Sequence, residues 1–207
     1  MCSVRLVTVL FLLMVFGAQT LWADVTAKYK TRNGSQIVKY RDADHVRSEV
    51  WTSKDSATIM VKNGEKFYMV NGSQVIDMTA SLVAVRSMMS GKMAGMMGGK
   101  KAEAASFEPT GRTETVAGIK GEVYQIKAKG QVHEAVLAKD ESLYQVSLGM
   151  EAVMNGMLGD TPSRSLIRQM NNDSSKTGLA LLRYGHEFVL ESLTEGPIPA
   201  AEFNVAK

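Results

Sequence analysis

The sequence predicts an α+β fold: two antiparallel β-meanders separated by an amphipathic helix, then shorter helices and a closing hairpin. Three observations carry this. Asn33-Gly34, Asn63-Gly64 and Asn71-Gly72 are Asn-Gly pairs, the strongest short hairpin signal. Turn signals recur about every 8–11 residues through residues 25–76, the spacing of an antiparallel sheet. Met78, Leu82, Val85, Met89, Met93 and Met96 recur at helical steps and form one apolar stripe.

In chain order, residues 1–23 are set aside as a cleaved signal peptide. Arg5 is its basic start, residues 6–16 its apolar run, and Leu21-Trp22-Ala23 the cleavage site before Asp24. The run is short for a transmembrane helix. Residues 24–207 are expected to form a single domain. Asp42-Ala43-Asp44 and Ser53-Lys54-Asp55 add turns between the first two Asn-Gly pairs. The intervening runs alternate: Val46, Ser48 and Val50 oppose Arg47, Glu49 and Trp51, and Ala57, Ile59 and Val61 oppose Thr58, Met60 and Lys62. One face is expected to be apolar and the other wet.

The stripe predicts a Met-rich helix over residues 78–99. Asp77 or Thr79 can cap its start, and Gly98-Gly99 end it beside Lys100 and Lys101. Gly91 and Gly95 each lower helix propensity by about 1 kcal/mol. Three readings of the methionines are open. They fill a core as adaptable side chains, they cover an apolar groove, or their thioethers hold Cu(I).

A small polar connector at residues 102–106 precedes the second meander. Residues 107–116 read as a strand interrupted at Pro109, residues 122–129 alternate after a turn at Gly118, and residues 132–138 continue after Gly130. Residues 142–159 are mixed. Met150, Val153, Met154, Met157 and Leu158 share a helical face there, so a short helix is expected. Thr161-Pro162 starts another, with Leu166, Ile167 and Met170 as its apolar side. Residues 171–176 are a polar loop. Residues 179–184 and 187–193 are strands joined at Gly185-His186, and Gly196-Pro197-Ile198-Pro199 cannot pair as a central strand.

Composition excludes several classes. Removing Arg5 takes the basic count from 24 to 23 against 21 acidic residues, a net charge of +2 with the signs interspersed. No aromatic-studded basic stripe suggests nucleic acid. Cys2 is the only cysteine and lies ahead of the apolar run, so neither a lipid anchor nor a disulfide is expected. A signal peptide without cysteines fits the bacterial periplasm. His45, His133 and His186 are scattered, no G-x-S-x-G elbow occurs, and residues 94–101 lack the first Gly of a phosphate loop and the Ser/Thr after its Lys. No catalytic residue, metal site or cofactor is expected.

The order of an Asn-Gly-rich meander followed by a Met- and Lys-rich helix ending in MMGGKK, the stretch TGRTETVAGIKGEVYQIK at residues 110–127, and the ending Ile198-Pro199-Ala200-Ala201-Glu202-Phe203 together resemble a secreted bacterial family whose fold is related to the lipoprotein carriers LolA and LolB. The resemblance spans nearly all of residues 24–207. It departs at Gly121, where a Cys is expected in many members. It implies a strongly curved antiparallel sheet, an incomplete LolA-like barrel with helices in its concave face, and no transferable catalytic residue.

The expected function is a non-enzymatic periplasmic binding or carrier protein for a hydrophobic ligand, a lipid or a lipidated protein. Trp51, Ile59, Met69, Met89, Met93, Met154 and Met157 are the residues expected to line its cavity. The alternatives are a structural or protein-interaction module with a filled core, and a Met-based Cu(I)-handling protein. The expected partners are a hydrophobic ligand or lipoprotein, with peripheral membrane contact and no nucleic acid, bound by a monomer.

Overall fold

Two-residue turns set the register of most of the sheet. The computed structural model describes residues 24–53, 56–81, 106–128, 131–154 and 178–205 of the chain. Strands β1 (Val25–Thr31) and β2 (Gly34–Asp42) meet at Thr31 and Gly34 around Arg32-Asn33. Strand β3 (His45–Ser53) follows Ala43-Asp44, a turn closed by Asp44 N donating to Asp42 Oδ1 at 2.8 Å. Strands β4 (Ser56–Asn63), β5 (Lys66–Asn71) and β6 (Gln74–Asp77) are joined by Gly64-Glu65 and Gly72-Ser73. Gly64 and Gly72 sit at φ +61° and +58°, a conformation that needs no Cβ to be comfortable.

The second meander is β7 (Ser106–Val116), β8 (Ile119–Ala128) and β9 (Gln131–Lys139). Both turn residues between β7 and β8 have positive φ, Ala117 at 51° and Gly118 at 82°, as the mirror-image hairpin turn requires. Helix α1 (Glu141–Met154) leads on toward β10 (Leu179–Tyr184) and β11 (Phe188–Glu195), and a 3-10 turn (Ala200–Phe203) follows. The described strands form one open, curved, antiparallel sheet in the order β6-β5-β4-β3-β2-β1-β11-β10-β9-β8-β7. Register shifts at Lys28/Tyr29, Leu181/Arg183 and Pro109/Thr113 bend it. The chain leaves one edge at β6 and re-enters at the other at β7.

The inner face holds the main core. Val25, Ala27 and Tyr29 of β1, Val38 of β2, Val46 of β3, Val123, Val136 and Leu182 pack against Leu143, Val146, Met150 and Val153 of α1. Asp140 caps the helix by accepting from Leu143 N at 2.9 Å. Gly149 lets α1 approach β2, since a Cβ there would lie 2.6 Å from the Tyr40 ring. A second cluster, Ile126, Ala135, Leu137, Leu179, Leu181 and Tyr184, occupies the other face of β8–β10.

Several expectations need correction. The helix begins at Glu141, and its buried stripe starts at Leu143 and Val146, about two turns and one turn before Met150. Strand β8 starts at Ile119, and the β10–β11 loop takes three residues, Gly185 to Glu187. Strand β4 is not apolar on one face and wet on the other: adjacent Met60 and Val61 are both buried. The expected signal peptide, most of the expected Met-rich helix, the helix expected from Thr161 and the loop expected at 171–176 lie outside the described residues. Of the Met-rich segment, residues 78–81 are described and are helical from 79, with Thr79 N donating to Asp77 Oδ1 at 2.9 Å.

Candidate functional site

On the inner face, α1 packs on β1, β2, β3 and β10 and its contacts taper at β4. Beyond it one row of the face stays apolar, flanked by Thr58, Asn71 and Gln74 on one side and by Lys62 and Phe67 on the other. Ser48, Met60, Met69 and Ile76 stand in register on four neighbouring strands, and exposure rises along the row from 1% at Ser48 and 7% at Met60 to 39% at Ile76. Phe67 lies one position along β5 on the same side as Met69, with the Lys62 ammonium 6.0 Å from its ring centroid. Met78 N donates to Phe67 O at 2.8 Å and Phe67 N to Thr79 Oγ1 at 3.0 Å. The start of the Met-rich segment is thereby tied to β5 beside this strip.

The outer face has two ends. At one end the tail from Gly196 to Asn204 crosses β1–β4. Phe203 is buried there, edge-on to His45 and under the Arg41 guanidinium. Arg41 pairs with Asp24 at 2.9 Å and donates to Ile198 O, while Ile198 N donates to Asp24 Oδ2 at 2.7 Å. Lys39 and Arg47 bracket Glu49 and Glu202, and Arg47 also donates to Glu202 O at 3.0 Å. Burial alone would raise the Glu49 carboxyl, but Arg47 and Lys39 hold it below its ordinary value. Asp24 behaves alike: burial opposes, and Arg41 and the Ile198 N–H lower it.

At the other end Trp51 is uncovered by this tail. Its Nε1 donates to Glu49 Oε2 at 3.3 Å, which holds the indole to the network. One groove of about 240 Å3 runs along Trp51, Ala57, Ile59 and Val70, and another of about 450 Å3 runs along Trp51, Ser35, Lys28 and Lys30.

The sheet therefore divides the residues expected to line one cavity. Trp51 and Ile59 come together on the outer face, whereas Met69 lies on the inner face opposite Met60. Met154 is the last residue of α1, and its side chain is outside the description, as are Met89, Met93 and Met157. The physical reason is parity. Ile59 pairs with Val70, so Met69 falls one residue out of step with it.

Sequence reasoning missed the ion networks. The Arg47–Glu49 pair is visible as charges at alternate strand positions, but Lys39, Asp24, Arg41 and Glu202 join only once the strands and tail are folded. A second network lies at the far end of the sheet. Arg183 donates to Glu114 at 2.7 and 2.8 Å and lowers its carboxyl, and Arg112 pairs with Glu134. Burial and Glu122 push the Tyr124 hydroxyl up to about 12.

His45 is bound to Asp42 at 2.9 Å, His133 touches the Tyr184 ring, and His186 lies in the β10–β11 turn. Among the described residues no three His, Cys, Asp or Glu side chains converge as a metal site would need. Among the same residues no helix is long and apolar enough to cross a membrane. No protein-family profile, curated protein or solved structure matches the chain.

Proposed function

We propose that the chain is a non-enzymatic binding or carrier protein for a hydrophobic ligand, a lipid or lipidated protein, that works in the periplasm after loss of residues 1–23. In this reading the curved sheet is a LolA-like incomplete barrel. The observation that supports it is the inner-face row from Met60 through Met69 to Ile76, which stays apolar where α1 stops covering it. Residues 78 and 79, where the Met-rich segment starts, are tied to β5 beside that row; in this reading the helix expected over 78–99 covers it. Unbranched Met on a strip and on its cover suits a ligand of variable shape.

The filled-core module is the second reading, favoured by the half of the inner face under α1. Tyr29, Leu143, Val146 and Met150 leave that half close-packed. The Cu(I) reading rests on methionines outside the described residues.

Binding of a fluorescent phospholipid to Met69→Asp/Ile76→Asp separates the two. Two carboxylates on the strip should abolish binding, because an unpaired charge against acyl chain is unfavourable, while the variant stays folded with only a modest drop in melting temperature, since Met69 is partly buried and Ile76 exposed. Unchanged phospholipid binding by a folded variant would overturn the carrier proposal.

A further inference from the structure

We infer a second, separate binding site on the outer face: a groove across Trp51 that takes a monomeric anionic amphiphile. Its acidic head sits at Lys28 and Lys30, and its chain lies over Ile59 and Val70. The inference does not rest on the inner-face carrier reading.

The strand register builds the groove. Two adjacent cross-strand rows run over this face. One is Lys30, Ser35, Trp51 and Ala57; the other is Lys28, Ile37, Glu49, Ile59 and Val70. Each row is basic at β1 and apolar toward β4 and β5. Lys28 and Val70 are four strands apart, about 19 Å at the usual spacing, so one extended single-chain molecule can span both ends. Trp51 borders the two grooves. Small residues flank it on each side, Gly34, Ser35 and Ser53 toward the lysines and Ser56, Ala57 and Gly72 toward the apolar end. An indole in that setting offers apolar area to the chain where it meets the head.

Charge complementarity selects the head. Lys28 pairs with Glu191 at 2.9 Å, but with side chains 46% and 39% exposed such a pair is worth little. Glu191 also lines this groove, so its charged lining of Lys28, Lys30 and Glu191 is net positive by one, and an incoming anion can share the Lys28 ammonium and use Lys30 as well. Glu49 does not repel it, because Lys39 at 3.3 Å and Arg47 at 2.7 Å neutralise its carboxylate. Among the described residues, the tail contacts this face at Lys39, Arg41 and Arg47 and not at Trp51.

The fluorescence of Trp51 tests this directly. The chain has two tryptophans, so the full chain carrying Trp22→Phe reports on Trp51 alone. Sodium laurate, titrated below its micellar concentration, should shift Trp51 emission to the blue and saturate. Lys30→Glu should weaken that response about tenfold, the scale of reversing one charge at a partly screened pair. Dodecanol should bind more weakly than laurate, and acetate should give no shift. Val70→Asp should abolish the shift, whereas Met69→Asp, on the inner face, should leave it intact. Circular dichroism of each variant controls for folding. No shift with laurate, a shift with acetate, equal response to laurate and dodecanol, insensitivity to Lys30→Glu, or response only to anionic vesicles would each overturn the proposal.

Discussion

The inner face of the sheet has two halves that α1 covers unequally, and in the second only the Met60–Met69–Ile76 row is apolar throughout. From β10 across β1 to β3, α1 seals the face, and its stripe of Leu143, Val146, Met150 and Val153 is buried. From β4 to β6 the apolar row continues through Met69 to Ile76 with rising exposure. A single helix of 14 residues, about 21 Å long, cannot cover a sheet of this width. The lesson is that the outer strands depend on something other than α1. Val75 and Ile76, both exposed, lie on the edge strand where that dependence is greatest.

The largest expected effect contrasts the halves directly. Leu143→Ala, on the buried face of α1 against the sheet, should cost about 2–5 kcal/mol in denaturant unfolding. Met69→Ala should cost about 1 kcal/mol, in proportion to its partial burial. Equal losses would mean that the two halves are one continuous core.

Gly121→Cys comes next. A Cβ there would lie 2.7 Å from both Leu137 O and Val136 Cγ1 and 2.9 Å from Leu182 Cδ1, so the closed half has no room for it. A loss of about 1–3 kcal/mol is expected from overpacking. A variant as stable as the wild type would show slack in the half described as filled.

Acid should act mainly on the outer face and the far network. Asp24, Glu49 and Glu114 have carboxyls held below their ordinary values in the fold. Folding therefore gains from their ionisation above the unfolded values of about 4 and loses that gain as pH falls through the lower folded values. Denaturant midpoints should decline below about pH 4, and Arg41→Gln, which removes the partner of Asp24, should flatten part of that decline. A midpoint independent of pH between about 5 and 2 would contradict the ion pairing.

The smallest effect is a gain. Among the described residues the buried Tyr29 hydroxyl has no hydrogen-bond partner, and its ring stacks on Phe188 at 4.3 Å. Burial pushes its pKa up. Tyr29→Phe removes an unsatisfied donor and should be neutral or stabilising by about 1 kcal/mol. Destabilisation would show that the hydroxyl has a partner and that the closed half is not dry.

Much of the meander was legible in residues. The Asn-Gly pairs at 63-64 and 71-72 and the Asp42-Ala43-Asp44 turn define hairpins whose two-residue loops fix register. The shared faces of the candidate site were legible in principle as well. A two-residue loop at Gly64-Glu65 pairs odd residues with even ones, so Met69 must follow Met60 and not Ile59. What local pattern could not show was cover. Met60 looks like a member of the wet face until α1 and the sheet enclose it. Val61 becomes buried on the other face where the tail, with Phe203 beneath it, crosses the outer side. The start of α1 was hidden because Glu141 to Gly149 is rich in polar residues and Gly, while its stripe of Leu143 and Val146 is held by tertiary packing on β1–β3.

Hydrogen exchange with and without phospholipid tests the central claim most directly. Without ligand, amides of β5 and β6 should exchange faster than those of α1, because α1 packs on β1, β2, β3 and β10 and its contacts taper at β4. Added phospholipid should slow residues 67–77 and leave α1 unchanged. Protection of β5 and β6 already equal to that of α1, with no response to phospholipid, would contradict a ligand-binding half and leave a filled core across the whole inner face.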